Sequence, residues 1–243
     1  MPIDSLRSTE IFGRPKYLLY RSKPIMARNT AIAQKGTMTT TATTSKLCIT
    51  PRAALLTIAA DPALEDAYRV TWDGAVPSVR EHGHAIEVDY TIAGRVRALS
   101  TRSGSLTVAL HPSVAWSIEL RGGVSGLRAD LRDLRVCELA IGGGARDVVV
   151  DLPQPSGELV LSIAGGLSKG VVRRPAATPV SVEIDGGATN LRLDDIEFGA
   201  IGGVVRQRTS TDTNADGVVA LRVLGGASGL TVSASERTGR EQR

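Results

Sequence analysis

The sequence predicts an all-β protein, and three observations carry that prediction. Short segments alternate apolar and polar residues and are punctuated by Gly, Asp and Pro, the pattern of half-buried strands. Gly-Gly pairs recur at 122/123, 142/143, 165/166, 186/187, 202/203 and 225/226, with 20, 23, 21, 16 and 23 residues between successive first glycines. A helical period is sustained nowhere beyond one short turn at 63–68. A repeat near ~21 residues suits one rung of a β-solenoid, two strands of about five residues and two corners. The predicted architecture is therefore a single-domain β-solenoid with Gly-Gly-cornered rungs. An antiparallel β-sandwich is the alternative, because Gly-Gly between alternating strands also makes a tight hairpin.

Taken in order, residues 1–52 read as a disordered basic leader. They hold nine Lys or Arg (Arg7, Arg14, Lys16, Arg21, Lys23, Arg28, Lys35, Lys46, Arg52) against Asp4 and Glu10, a net charge of +7. The polar run 37–45 cannot bury a face. The remaining chain has 20 basic and 23 acidic residues, so the pI of about 9.3 belongs to the leader, which is expected to be a solvated tail. Met26 and Met38 are alternative starts to Met1. Leu18-Leu19-Tyr20 is too short for the apolar region of a signal peptide, and no run of about 18 apolar residues occurs. The expectation is a cytoplasmic protein with no transmembrane segment.

The ordered domain is expected over 53–233, followed by a frayed tail at 234–243. It opens with a strand at Ala54–Ile58, a helix-start signal at Asp61-Pro62 and one short helical turn or loop from Ala63 to Tyr68. Segments 68–72, 85–90 and 105–110 then alternate and stop at Asp73-Gly74, near Gly94 and at His111-Pro112.

From Trp116 onward the repeat takes over. Units 118–131, 139–152, 161–172, 182–193 and 221–232 each read strand, Gly-Gly corner, strand. In the first, Ile118 and Leu120 face inward and Glu119 outward; after the corner Leu127, Ala129 and Leu131 face inward, and Arg128 and Asp130 outward. Gly suits the corner because stacked corners leave no room for a Cβ. The solenoid places Ile118, Leu139, Leu161, Val182 and Leu221 in one column, whereas hairpins would pair Leu120 with Leu127. The third unit departs from the rule: Gly170 stands where others have Leu, and its apolar pair is expected to slip to Val171 and Val172. Residues 206–217 read as a polar insertion outside the stack.

With these residues laid out, the chain resembles the bacterial adhesin-like domains of unknown function, glycine-rich β-solenoids grouped with adhesins and cell-envelope stress proteins. The resemblance spans roughly Ala53 to Ser233. It rests on Leu56-Thr57-Ile58-Ala59-Ala60-Asp61-Pro62-Ala63-Leu64, on Pro77-Ser78-Val79-Arg80 and on Gly225-Gly226-Ala227-Ser228-Gly229-Leu230-Thr231-Val232. It implies a solenoid fold, no catalytic residues and no cofactor.

The candidate chemistry is sparse. Asp212, Asn214, Asp216 and Gly217 match the first half of a calcium loop, but its twelfth position is Val223 rather than a bidentate acid, so weak cation binding is the most they offer. His82, His84 and His111 could supply imidazoles, yet zinc or copper needs more convergent donors. Asp194, Asp195 and Glu197 suggest paired acids for glycoside cleavage, but strand neighbours point to opposite faces. Cys48 and Cys137 lie in no metal or disulfide pattern. Outward Arg121, Arg128, Arg132, Arg146, Arg173, Arg174, Arg192 and Arg222 interleave with aspartates, as in cross-strand pairing rather than phosphate tracking. Aromatic residues make up only 3%, too few for a sugar platform or a base-stacking surface.

No catalytic, cofactor-binding or metal residues are therefore assigned, and no nucleic acid is expected. The predicted role is a non-catalytic structural or interaction module. Its solenoid face or end strand would meet a protein partner or another copy. A cell-surface adhesin-like module and a carbohydrate-active enzyme on a β-helix are the alternatives.

Overall fold

The structure is a computed structural model that describes residues 16–18, 44–52, 54–74, 76–90, 104–209 and 216–235. It is all-β, and no helix occurs among the described residues. The first strands are β1 (Lys16–Leu18), β2 (Thr44–Ile49), β3 (Leu55–Ala60), β4 (Tyr68–Asp73), β5 (Ser78–His82), β6 (Ala85–Asp89) and β7 (Ser105–Leu110). The glycine repeat then supplies β8 (Ala115–Leu120), β9 (Val124–Asp130), β10 (Arg135–Ile141), β11 (Ala145–Asp151), β12 (Glu158–Ile163) and β13 (Leu167–Pro175). The last six are β14 (Val180–Ile184), β15 (Ala188–Leu193), β16 (Ile196–Ile201), β17 (Val205–Arg208), β18 (Val218–Val223) and β19 (Ala227–Ser235).

These strands form two mixed sheets around one core. One has ten strands in the order β1-β4-β7-β3-β9-β11-β13-β19-β15-β16, the other nine in the order β17-β14-β18-β12-β10-β8-β2-β6-β5. The two strands of a Gly-Gly unit lie in opposite sheets, so Leu120 does not pair with Leu127. Leu120 pairs with Ile141 and Ile49, while Leu127 pairs with Val148 and Leu56, all in parallel register. The expected column exists and is longer than predicted: Ile86, Leu47, Ile118, Leu139, Leu161, Leu221 and Val182 follow one another across the nine-stranded sheet. Its order is not the chain order, because the last unit enters between Leu161 and Val182.

Alternation puts one face of each sheet in the core. Leu47, Ile49, Ile58, Leu106, Trp116, Ile118, Leu120 and Leu127 are wholly buried, each aliphatic side chain contributing about 1.5–3 kcal/mol of transfer free energy. Thr44–Ile49 is an interior strand between β6 and β8, so the fold begins inside the segment assigned to the leader. Most of the predicted leader lies outside the described residues. At the other end β19 runs on to Ser235, and 236–243 lie outside the description. The predicted turn at 63–68 is non-helical, with the Asp61 carboxylate accepting a hydrogen bond from the Ala63 N–H at 3.0 Å. Arg206 belongs to β17, which pairs with β14, so the strand reaches into the predicted insertion. Gly202 and Gly203 join β16 to β17 and so turn back from the ten-stranded sheet to the nine-stranded one, opposite in sense to the other pairs.

The corners stack as tightly as glycine allows. A Cβ on Gly143 would lie 2.6 Å from the Gly123 nitrogen, and one on Gly186 would lie 2.5 Å from the Gly226 nitrogen. In their place the corners are bonded to each other: Gly165 N–H donates to Gly143 O at 3.1 Å, Gly225 N–H to Gly165 O at 3.2 Å, and Gly186 N–H to Gly225 O at 3.1 Å.

A second column was not foreseen. Just after each corner the ten-stranded sheet carries a left-handed residue, with φ of 79° at Gly126, 51° at Asp147, 57° at Lys169, 66° at Gly229 and 53° at Asn190. The five align across β9, β11, β13, β19 and β15. Each shifts the alternation by one, so that Val124, Leu127 and Ala129 are buried at intervals of three and then two. This kink also corrects the third unit. Gly170 pairs with Val148 and Leu230 in register, Val172 is buried and Val171 is not slipped inward. Leu167 fills the vacant place, since a Cβ on Gly170 would sit 2.8 Å from its Cδ2.

Candidate interaction surfaces

The outward faces are laced with charge, and opposite signs meet both within a segment and across strands. Arg121 Nη1 is 3.0 Å from Glu87 Oε1, Arg132 Nη2 is 2.7 Å from Asp130 Oδ2, and Arg173 Nη1 is 3.1 Å from Asp151 Oδ1. Arg146 meets Asp147 at 3.4 Å, Arg192 meets Glu197 at 3.4 Å, and Arg222 meets Glu158 at 3.7 Å. Arg128 donates to the Asp147 carbonyl at 2.9 Å; Arg174, expected to point outward, is buried instead and donates to Asp194 Oδ2 at 2.6 Å. All eight arginines thus have acceptors within the fold: acids one strand away for Arg173, Arg192 and Arg222, acids of the same segment for Arg132 and Arg146, acids two strands away for Arg121 and Arg174, and a backbone carbonyl for Arg128.

At one end of the nine-stranded sheet the network deepens. Cys48 lies between Glu87 and Glu119 in register, and Lys46 Nζ is 2.7 Å from Glu119 Oε2. The Lys46 hydrogen bond holds the Glu119 carboxyl below its ordinary range, while burial pushes the Cys48 thiol up. Cys48 is buried and keeps its proton; Cys137, which beside Leu139 and Ile141 in an apolar run reads as a small buried hydrophobe, is exposed instead, and its thiol lies 3.4 Å from the Trp116 carbonyl.

The other candidates do not converge. His82 ends β5 and His84 follows in the turn, both exposed, whereas His111 follows β7 and its Nδ1 accepts from the Ser113 N–H at 3.1 Å. Among the described residues no group of three His, Cys, Asp or Glu is placed to hold a metal. Asp212 and Asn214 lie outside the described residues, and Asp216 is exposed. Asp194 and Asp195 form the turn between β15 and β16; Asp194 is committed to Arg174 and Glu197 to Arg192.

That turn leads to what sequence reasoning missed. Asp194-Asp195 between two apolar-polar segments is a turn signal, and the two-residue turn it forms makes β16 an edge strand of the ten-stranded sheet among the described residues. The four edges differ. β1 covers β4 at the opposite edge of the same sheet. β5 presents exposed Arg80, Glu81 and His82, and β17 carries Arg206 and Arg208, charges that discourage pairing. β16 reads Ile-Glu-Phe-Gly-Ala-Ile, with Ile196 61% exposed, and Val204 just beyond it is 52% exposed. Beside it a groove of about 610 Å³ runs over the outer side of the sheet, floored by Ser168, Ser228 and Thr189 and bounded by Ala200.

No family model matches the chain, and no curated protein matches it. A solved structure from Clostridium sporogenes, described as a "putative cell adhesion protein", is similar in fold. The TM-score is 0.62 and the identity 15%, with 91% of this chain and 100% of the other covered. At that identity the likeness is one of fold.

Proposed function

We propose that the chain is a non-catalytic β-solenoid module that binds protein, with the C-terminal end of the stack as its contact surface. Parallel pairing of successive units at a spacing near ~21 residues supports the solenoid reading. The observation that carries the function is β16, which among the described residues is an edge strand with one side of its backbone unpaired and with exposed apolar side chains, while the neighbouring Arg192 is occupied by Glu197. Strand addition at such an edge takes its affinity from main-chain hydrogen bonds and its specificity from alternate side chains.

The test places a photo-crosslinking residue at Glu197 in the full chain, with Ser162 in the middle of the opposite sheet as control. Discrete protein adducts from Glu197 and not from Ser162 are expected. Equal labelling at both, or release of sugar from a panel of glycans, would sink the reading. A second reading, attachment at a cell surface, is favoured by the description of the Clostridium sporogenes structure. Fractionation separates the two, since the interaction module is proposed to remain in the cytosol.

A further inference from the structure

We infer that the edge strand β16 pairs with β16 of a second copy, antiparallel across a two-fold axis between Phe198 and Gly199. This rests on the protein-binding reading above and names its partner.

Faces are set by the partners in β15. Ile196, Phe198 and Ile201 stand opposite Leu193, Leu191 and Ala188, all buried, and so lie on the core side. Glu197 and Ala200 stand opposite exposed Arg192 and Thr189 and so lie on the outer side. The kink at Asn190 and Gly199 separates Phe198 from Ile201 by an interval of three positions rather than two, with Gly199 and Ala200 between them. The in-and-out pattern of the strand therefore reads the same in both directions about its centre. Directly opposed residues of an antiparallel pair share a face. Centring the axis between Phe198 and Gly199 sets Ile196 opposite Ile201 and Glu197 opposite Ala200, each on a common face.

Other centres fail. An axis through Phe198 opposes Ile196 to Ala200, and one through Gly199 opposes Glu197 to Ile201, each a mismatch of faces. An axis through Glu197 brings two like charges together. In the matching register Phe198 lies beside the partner's Gly199, where a Cβ would meet nothing within 4 Å; aromatic cover of an edge glycine is a recognised way to stabilise a strand pair. A two-fold contact also closes on itself, so it ends at a dimer. Six residues a side bury less than a standard interface, so the dimer is weak and depends on concentration.

The experiment is sedimentation equilibrium of the full chain over a wide concentration range, with Ala200→Glu and Ala200→Lys alongside. Ala200 is exposed, and unchanged melting of both variants confirms their fold. The wild type is expected to dimerise. Ala200→Glu faces the partner's Glu197 twice and raises the dissociation constant on the order of tenfold, whereas Ala200→Lys meets the same carboxylate and leaves it equal or lower. A monomer up to about 1 mM, or equal weakening by both variants, overturns the pairing. A monomer that still forms discrete protein adducts from Glu197 would sink self-pairing alone and leave the protein-binding reading standing.

Discussion

Arg174 in β13 and Asp194 beyond the end of β15 meet at 2.6 Å although β19 lies between their strands. Ala234 of the intervening strand stands in register with Arg174 and is a small residue. Arg174 is buried, and it follows Arg173, which pairs with Asp151; it therefore occupies the place held by Leu152 one unit earlier and by Leu131 before that. Its Nη1 also donates to the carbonyls of Pro175 and Ala176 at 3.2 and 2.9 Å.

This geometry makes the two single substitutions unequal. Asp194→Ala leaves a buried guanidinium without its carboxylate and should cost about 3 kcal/mol. Arg174→Leu restores the residue type of the column and strands a carboxylate that is 32% exposed, so it should cost less than about 1.5 kcal/mol. Urea unfolding of both variants measures the difference. Equal losses would show that the pair acts through something other than the burial of Arg174.

The corner glycines make a second prediction. Gly143→Ala must push the chain away from the Gly123 nitrogen at 2.6 Å and should destabilise by about 1–3 kcal/mol. Gly202→Ala meets nothing within 4 Å and should change stability by less than about 0.5 kcal/mol. Thermal melts of the two compare a stacked corner with an unstacked one. A neutral Gly143→Ala would refute the claim that backbone approach selects glycine there.

The Lys46–Glu119 pair makes a pH prediction. The folded Glu119 carboxyl titrates below its ordinary value, chiefly through the Lys46 hydrogen bond. Its contribution is therefore full above the unfolded carboxylate pKa and is lost as pH falls through the folded one. The lysine titrates above its ordinary value through the same bond, so its share is full below the unfolded lysine pKa and is lost as pH rises through the folded one. Both side chains are substantially exposed, which limits the effect to about 0.5 kcal/mol. Glu119→Gln should flatten the acid limb of stability measured from pH 7 to pH 3 by about that amount. A variant curve parallel to wild type throughout would show that the pair does not hold the fold.

Much of this arrangement is written locally. Alternation around Ile118 and Leu120 identifies a half-buried strand, and the spacing of Gly-Gly pairs places the corners, because period and turn chemistry are properties of neighbouring residues. The arginines interleaved with aspartates already pointed to pairing. Thr44–Ile49 was obscured because a run of threonines precedes it and only Leu47 and Ile49 mark its inward face. The kink at Asp147 and Lys169 has no composition of its own, since five units place Gly, Asp, Lys, Gly and Asn there.

The all-β character of the chain, the place of most corners and the residues that seek the core all follow from local pattern. Which unit lies on which does not. Leu221 sits beside Leu161, 60 residues away in sequence, and Val182 lies on its other side. Any aliphatic column residue satisfies a neighbour of the same kind, so apolar pattern cannot rank such partners. The choice falls to whole-chain packing: the last strand pair slots inside the stack, Arg174 and Asp194 close over it, and β16 is left at the edge.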